Sequence, residues 1–120
     1  MKRAILLLVL TSCLVLGTTT LRAVPQEPPA PRIVTISAKR FEFTPAQITI
    51  QRGQPVTFRV SAEDRAHGFY QKDLGLELDL SPDRVAEATI TPQTAGRFIA
   101  ICDHFCGSGH GNMKMVITVE

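Results

Sequence analysis

Apolar and polar residues alternate with a period of two through most of the chain after residue 32. Val56, Phe58 and Val60 share one face of residues 56–60, with Thr57 and Arg59 on the other. Leu76, Leu78 and Leu80 alternate with Glu77 and Asp79, and Ala86, Ala88 and Ile90 with Glu87, Thr89 and Thr91. Successive side chains of a strand point to opposite faces, so this period marks strands with one face buried. Runs of similar character occupy residues 33–38, 47–50, 67–70, 97–101 and 115–119. Turn chemistry separates them: Arg52-Gly53-Gln54-Pro55, Ser81-Pro82-Asp83-Arg84, and the stretch from Pro92 to Gly96. No window of eleven or more residues carries a helical apolar stripe. The pattern predicts an all-β domain over residues 33–120, a Greek-key β-sandwich, long enough to bury its own core.

The first 32 residues read differently. A basic start, Met1-Lys2-Arg3, precedes an apolar stretch over residues 4–17, the layout of a secretory signal. Extended through Leu21 it approaches the roughly 20 residues of a spanning helix, although Thr18, Thr19 and Thr20 interrupt it. Residues 1–23 are therefore expected to be a signal peptide or an N-terminal membrane anchor. Leu10-Thr11-Ser12-Cys13 also has the form of a lipidation motif, but Cys13 is read first as a small apolar residue of the run. Either way the folded domain is expected outside the cytoplasm, periplasmic or extracytoplasmic, with a membrane tether in the second case. Residues 24–32 hold four prolines, which makes a stiff, extended linker.

Charge narrows the partners only by exclusion. The chain carries a formal +2, and without Lys2, Arg3 and Arg22 ten cationic residues face eleven acidic ones. No basic cluster suggests nucleic acid.

The chemistry is concentrated between the last two expected strands, in Cys102-Asp103-His104-Phe105-Cys106-Gly107-Ser108-Gly109-His110-Gly111-Asn112-Met113. Thiolate and thioether are soft ligands, and together with imidazole they suit copper rather than magnesium, calcium or manganese. Glycines at 107, 109 and 111 let such a segment fold tightly around an ion. A distant His67 opens an earlier strand. Blue-copper sites use two His, one Cys and a weak axial Met. His67, Cys106, His110 and Met113 fill that set, and Cys102 is one thiolate more, enough to bridge a second copper. A Cys102–Cys106 disulfide or a Cys2His2 zinc site would leave Met113 without a role. Met115 is read as core or as an alternative thioether, and Phe69, Tyr70 and Phe105 as either core or an apolar collar around the site.

Cys-x3-Cys-x3-His-x2-Met after an upstream His resembles the binuclear copper A centre of cytochrome c oxidase subunit II and nitrous oxide reductase. Asp64-Arg65-Ala66-His67-Gly68-Phe69 and Ala95-Gly96-Arg97-Phe98-Ile99-Ala100-Ile101-Cys102 resemble the flanks of that centre, and the likeness covers residues 33–120. The resemblance implies a cupredoxin fold. It also implies two copper ions bridged by Cys102 and Cys106, capped by His67 and His110, with Met113 and the backbone carbonyl of His104 as weak axial contacts. The implied role is one-electron transfer, with a redox partner such as a c-type cytochrome or terminal oxidase, and no enzymatic activity of its own. A copper-delivery protein for oxidase assembly and a mononuclear blue-copper carrier are the alternatives.

The chain also departs from that pattern. His104 stands where the family usually has a glutamate that links to a magnesium site in the catalytic subunit, and the sequence has no tryptophan for cytochrome docking. At most one spanning helix precedes the domain, where oxidase subunit II has two, and no large catalytic domain accompanies it. A stand-alone copper A protein is the form expected.

Overall fold

The computed structural model describes residues 21–120. The expected leader therefore lies mostly outside the described residues, Cys13 included. Residues 21–31 are exposed and carry no regular secondary structure. The strands are β1 (Arg32–Lys39), β2 (Glu42–Thr44), β3 (Gln47–Ile50), β4 (Val56–Ala62), β5 (His67–Gln71), β6 (Leu76–Leu80), β7 (Ala86–Ile90), β8 (Gly96–Ile101) and β9 (Lys114–Val119). Two single 3₁₀ turns, Lys72–Leu74 and His110–Asn112, are the only helical elements among the described residues.

These strands form a sandwich of two sheets, one ordered β2-β1-β4-β7 and the other β3-β9-β8-β5-β6. The alternation seen in the sequence is the alternation of burial. Val56, Phe58 and Val60 of β4 are wholly buried, and Val34, Ile36 and Ala38 of neighbouring β1 join them. From the opposite sheet come Ile50, Phe69, Leu76, Ala100, Met115 and Ile117. Burying each large apolar side chain contributes about 1.5–3 kcal/mol. Phe69 sits at the centre of this core, edge-on to Phe43 at 5.2 Å between ring centroids and tilted against Phe58 at 6.1 Å. Phe69 is thus core, in the same buried cluster as Cys102, Cys106 and Met113. In β7, Ala86, Ala88 and Ile90 are only half-buried, because β7 is an edge strand.

Two pairings are parallel, β1 with β4 (Ile36 opposite Val60) and β3 with β9 (Ile50 opposite Val119). Alternation marks a strand's faces but not its direction, so the sequence is silent on both. The register has one consequence for function. Because β1 and β4 run together, the turn after β1 and the loop from β4 to β5 emerge at the same pole. The antiparallel β8–β9 hairpin, with Ala100 opposite Met115, opens its 102–113 loop at that pole too. There His67 begins β5, paired with Leu80 of β6. A surface cavity of about 360 Å³ lined by Asp73, Leu74, Pro92 and Phe98 lies towards the other end of β5 and β8 and gathers none of the candidate ligands.

Candidate metal centre

At this pole the two thiols meet beneath the surface. Cys102 leaves the end of β8 and Cys106 lies four residues on; both are buried and unpaired, with sulfurs 3.8 Å apart. A disulfide needs about 2.05 Å, so the two are separate thiols. His67 Nδ1 lies 3.8 Å from Cys102 Sγ, and His110 Nδ1 lies 3.8 Å from Cys106 Sγ. The Met113 thioether sulfur is 3.8 Å from Cys106 Sγ, and the His104 carbonyl oxygen is 3.1 Å from Cys102 Sγ. Each sulfur thus has an imidazole nitrogen on its flank and a weaker donor beside it. The reactive atoms of His67, Cys102 and Cys106 all lie within 4.8 Å of one another.

The spacing fits a shared metal. Tetrahedral thiolate ligands on metal–sulfur bonds of about 2.3 Å stand about 3.8 Å apart. The donors are soft sulfur and imidazole, the set that selects copper over hard cations. Cysteines 0–2 % exposed, His67 at 0 % and Met113 at 1 % leave the half-buried His110 as the side chain that meets solvent. Its ring lies 5.9 Å, centroid to centroid, from that of Phe105, which is 76 % exposed.

Backbone hydrogen bonds set the loop. Cys102 N–H donates to the Met113 carbonyl at 3.2 Å, closing the loop across its neck. The His110, Asn112 and Met113 amides donate to the Gly107, Gly109 and His110 carbonyls at 3.1 Å each, which winds the 3₁₀ turn and brings His110 and Met113 to one side. Gly68 N–H donates to Cys102 Sγ at 3.5 Å. Gly68 lets the Asp103 carboxylate close in, since a Cβ there would displace that carboxylate and lie 3.2 Å from the Asp103 backbone nitrogen.

His67 is oriented from outside by Asp64, whose Oδ1 is 2.7 Å from His67 Nε2. With Nε2–H donating to this carboxylate, Nδ1 keeps its lone pair and faces the sulfur. Ligating histidines commonly donate their other ring N–H to such a partner. Burial alone pushes the Asp64 carboxyl up, but the Arg40 backbone N–H, His67 and the Arg40 guanidinium together hold it well below the usual carboxylate range. Burial also pushes the Cys106 thiol up, and the adjoining Cys102 adds to the effect.

Five side chains singled out by spacing, His67, Cys102, Cys106, His110 and Met113, thus lie together, with the His104 carbonyl that the resemblance implied beside Cys102. The His104 imidazole turns away, 44 % exposed, with Nε2 3.1 Å from Asp79 Oδ1 on β6. Met115, wholly buried on β9, belongs to the core. Sequence reasoning missed three contributors, Asp64, the Arg40 that holds it, and Phe41. Asp64 stands three residues before His67, a spacing that could have flagged it. Phe41 lies against Gly107 and Gly109, and nothing in its local sequence points there.

Two stacked sheets with a Cys-His-Met cluster at one pole define a cupredoxin, and the chain belongs to the cupredoxin-like domain family, whose model matches residues 6–119. Cytochrome c oxidase subunit 2 of Thermus thermophilus is 29 % identical over 99 residues, 82 % of this chain and 73 % of that protein. A second subunit 2, from a particular strain of the same species, is equally identical, and the match spans only 59 % of its length. The periplasmic domain of subunit II of the Bradyrhizobium japonicum cytochrome oxidase shares the fold with a TM-score of 0.70 at 18 % identity, over 78 % of this chain and 86 % of that one. Auracyanin A, a blue copper protein of Chloroflexus aurantiacus, shares it at 0.60 and 16 % identity, over 76 % of this chain and 100 % of that one.

Proposed function

We propose that this chain carries single electrons outside the cytoplasm through a binuclear copper A centre. Cys102, Cys106, His67 and His110 would hold two coppers, with Met113 and the His104 carbonyl as weaker donors. One observation carries this reading: two buried free sulfurs 3.8 Å apart, each with its own imidazole nitrogen at 3.8 Å. A mononuclear carrier has no use for the second buried thiol, and a zinc site has none for the Met113 thioether.

When bound, the coppers would supply a centre that takes up and releases one electron. The chain's own contribution is the cage. Its donors arrive from the start of β5, the end of β8 and a loop closed by backbone hydrogen bonds, so the set is held by packed structure and not by flexible side chains alone. Such packing resists rearrangement when charge changes. Burial of both cysteines, His67 and Met113 keeps water from the interior of the site. Phe105 and His110 would form the route by which a redox partner approaches, since His110 is the half-buried side chain among the donors and the exposed Phe105 ring lies beside it.

Burial supports electron transfer over metal delivery. A delivery protein needs accessible, exchangeable ligands, whereas here the thioether and both thiols are covered. The partner class that follows is another redox protein, a c-type cytochrome or a terminal oxidase. The chain transforms no substrate by itself on this reading.

The test is copper titration with electron paramagnetic resonance. Two coppers per chain are expected, with one unpaired electron split by both nuclei. Cys102→Ser should leave a mononuclear site on Cys106, His67, His110 and Met113. Hyperfine splitting from a single nucleus in the unaltered protein, or two coppers retained by Cys102→Ser, would refute the bridge.

A further inference from the structure

The turn between β1 and β2 touches both halves of the donor set, and electron transfer as described makes no use of it. Arg40 reaches one half. Its backbone N–H donates to Asp64 Oδ2 at 2.9 Å and its Nε to the same oxygen at 3.3 Å, while the other carboxylate oxygen of Asp64 accepts from His67. Phe41 reaches the other half by laying its ring across residues 107–109. A Cβ on Gly107 would lie 3.0 Å from Phe41 Cε1 and Cζ, and one on Gly109 only 2.6 Å from Phe41 Cγ. The ring therefore occupies space that two missing side chains leave free. Phe41 is 37 % exposed, so this seat lies outside the core that holds the sheets together. Cys106 immediately precedes the seat and His110 immediately follows it.

We propose that Arg40 and Phe41 are positioning residues: Arg40 holds His67 through Asp64, and Phe41 holds His110 through the 107–109 segment, so that both imidazoles are in place before metal arrives. The proposal rests on reading His67 and His110 as copper ligands. Its physical content is preorganisation. A donor already ordered by the fold loses less freedom on binding, so the complex is tighter and slower to release.

Gly109 gives a clean test, because its φ of −90° is open to alanine whereas Gly107, at +138°, sits where side chains are strained. Gly109→Ala should push the Phe41 ring from its seat. In the metal-free protein, hydrogen exchange of the His110 and Asn112 amides should accelerate. In the copper-loaded protein, loss of copper to a chelator should quicken about tenfold or more, the scale of losing an outer contact to a ligand. Phe41→Ala should do the same, and the double variant Phe41→Ala/Gly109→Ala should be no worse than Phe41→Ala alone. Arg40→Ala should speed copper loss with a smaller change in exchange at 110 and 112 than Phe41→Ala gives, since Arg40 Cδ also lies 3.5 Å from where a Gly107 Cβ would sit. Additive effects of the two single variants would overturn the proposal, as would lowered melting temperatures with unaltered copper loss. If the unaltered protein takes up no copper, the ligand reading fails, and amide exchange in the metal-free variants still decides whether Phe41 holds the loop.

Discussion

Asp64 Oδ1 lies 2.7 Å from Nε2 of the wholly buried His67, and that contact leaves Nδ1 as the nitrogen facing Cys102 Sγ, 3.8 Å away. Removing the carboxylate frees the ring to turn and to exchange tautomers. Asp64→Ala is expected to weaken copper binding by about 10–100-fold, the usual cost of losing such a partner. Asp64→Asn keeps an acceptor without the charge and should lose less. Chelator competition on both variants checks this, and equal losses would mean that the charge, not the hydrogen bond, matters.

Met113 and His110 lie three residues apart yet should behave differently. Met113→Leu conserves volume at a buried apolar position, so its cost in stability should stay under about 1.5 kcal/mol. The variant should keep copper and colour while its reduction potential shifts, since the axial thioether tunes potential more than it holds metal. His110→Ala removes a strong donor and should disrupt the site or admit water. Voltammetry and metal analysis on the pair decide the roles. Loss of copper as complete in Met113→Leu as in His110→Ala would make Met113 a principal ligand.

Copper uptake should depend on pH. Burial, reinforced by Cys102, raises the Cys106 thiol above its ordinary 9.0, so the thiol is protonated at neutral pH in the metal-free protein. Metal binds the thiolate, so capture displaces that proton and the equilibrium is drawn forward as protons become scarce. Apparent affinity should therefore rise from about pH 6 to about pH 8, approaching about tenfold per pH unit for each proton displaced. Competition titrations across this range check the slope, and a flat profile would mean that Cys106 is already ionised or is not a ligand.

Two phenylalanines near the site make opposite stability predictions. Phe69, wholly buried against Phe43 and Phe58, should cost about 3–5 kcal/mol when replaced by alanine. Phe105→Ala should change stability by no more than about 0.5 kcal/mol, as its ring is largely in solvent. Denaturant unfolding of the metal-free variants measures both. Similar losses would make Phe105 part of the fold's packing and not a free surface group.

Much of the fold was legible because burial and side-chain period coincide. Residues 47–50 and 76–80 are β3 and β6 to the residue, and the other expected runs differ from their strands only at the ends. β2 was missed because its three residues offer a single buried side chain, Phe43, too little to show a period. The cluster at the pole was legible because five of its side chains carry unusual chemistry at fixed spacing on one loop and one strand start. The supports were not. Asp64, Arg40 and Phe41 are ordinary residues whose importance comes from the parallel register of β1 and β4, which brings distant turns to one pole. His104 illustrates the same limit: its backbone reaches Cys102 while its ring goes to Asp79, a division that spacing alone does not reveal.

The course of β1 has a practical consequence. The strand begins at Arg32, beside Val56, and ends at Lys39 next to the cysteine loop, so the Pro-rich segment joins the domain about 23 Å from the pole that holds the donors. Anything fixed to residues 24–31 is therefore carried behind the molecule. A protein wired to an electrode through that segment would present His110 and Phe105 to the solution, and one wired through Lys114, beside the loop, would present them to the metal surface.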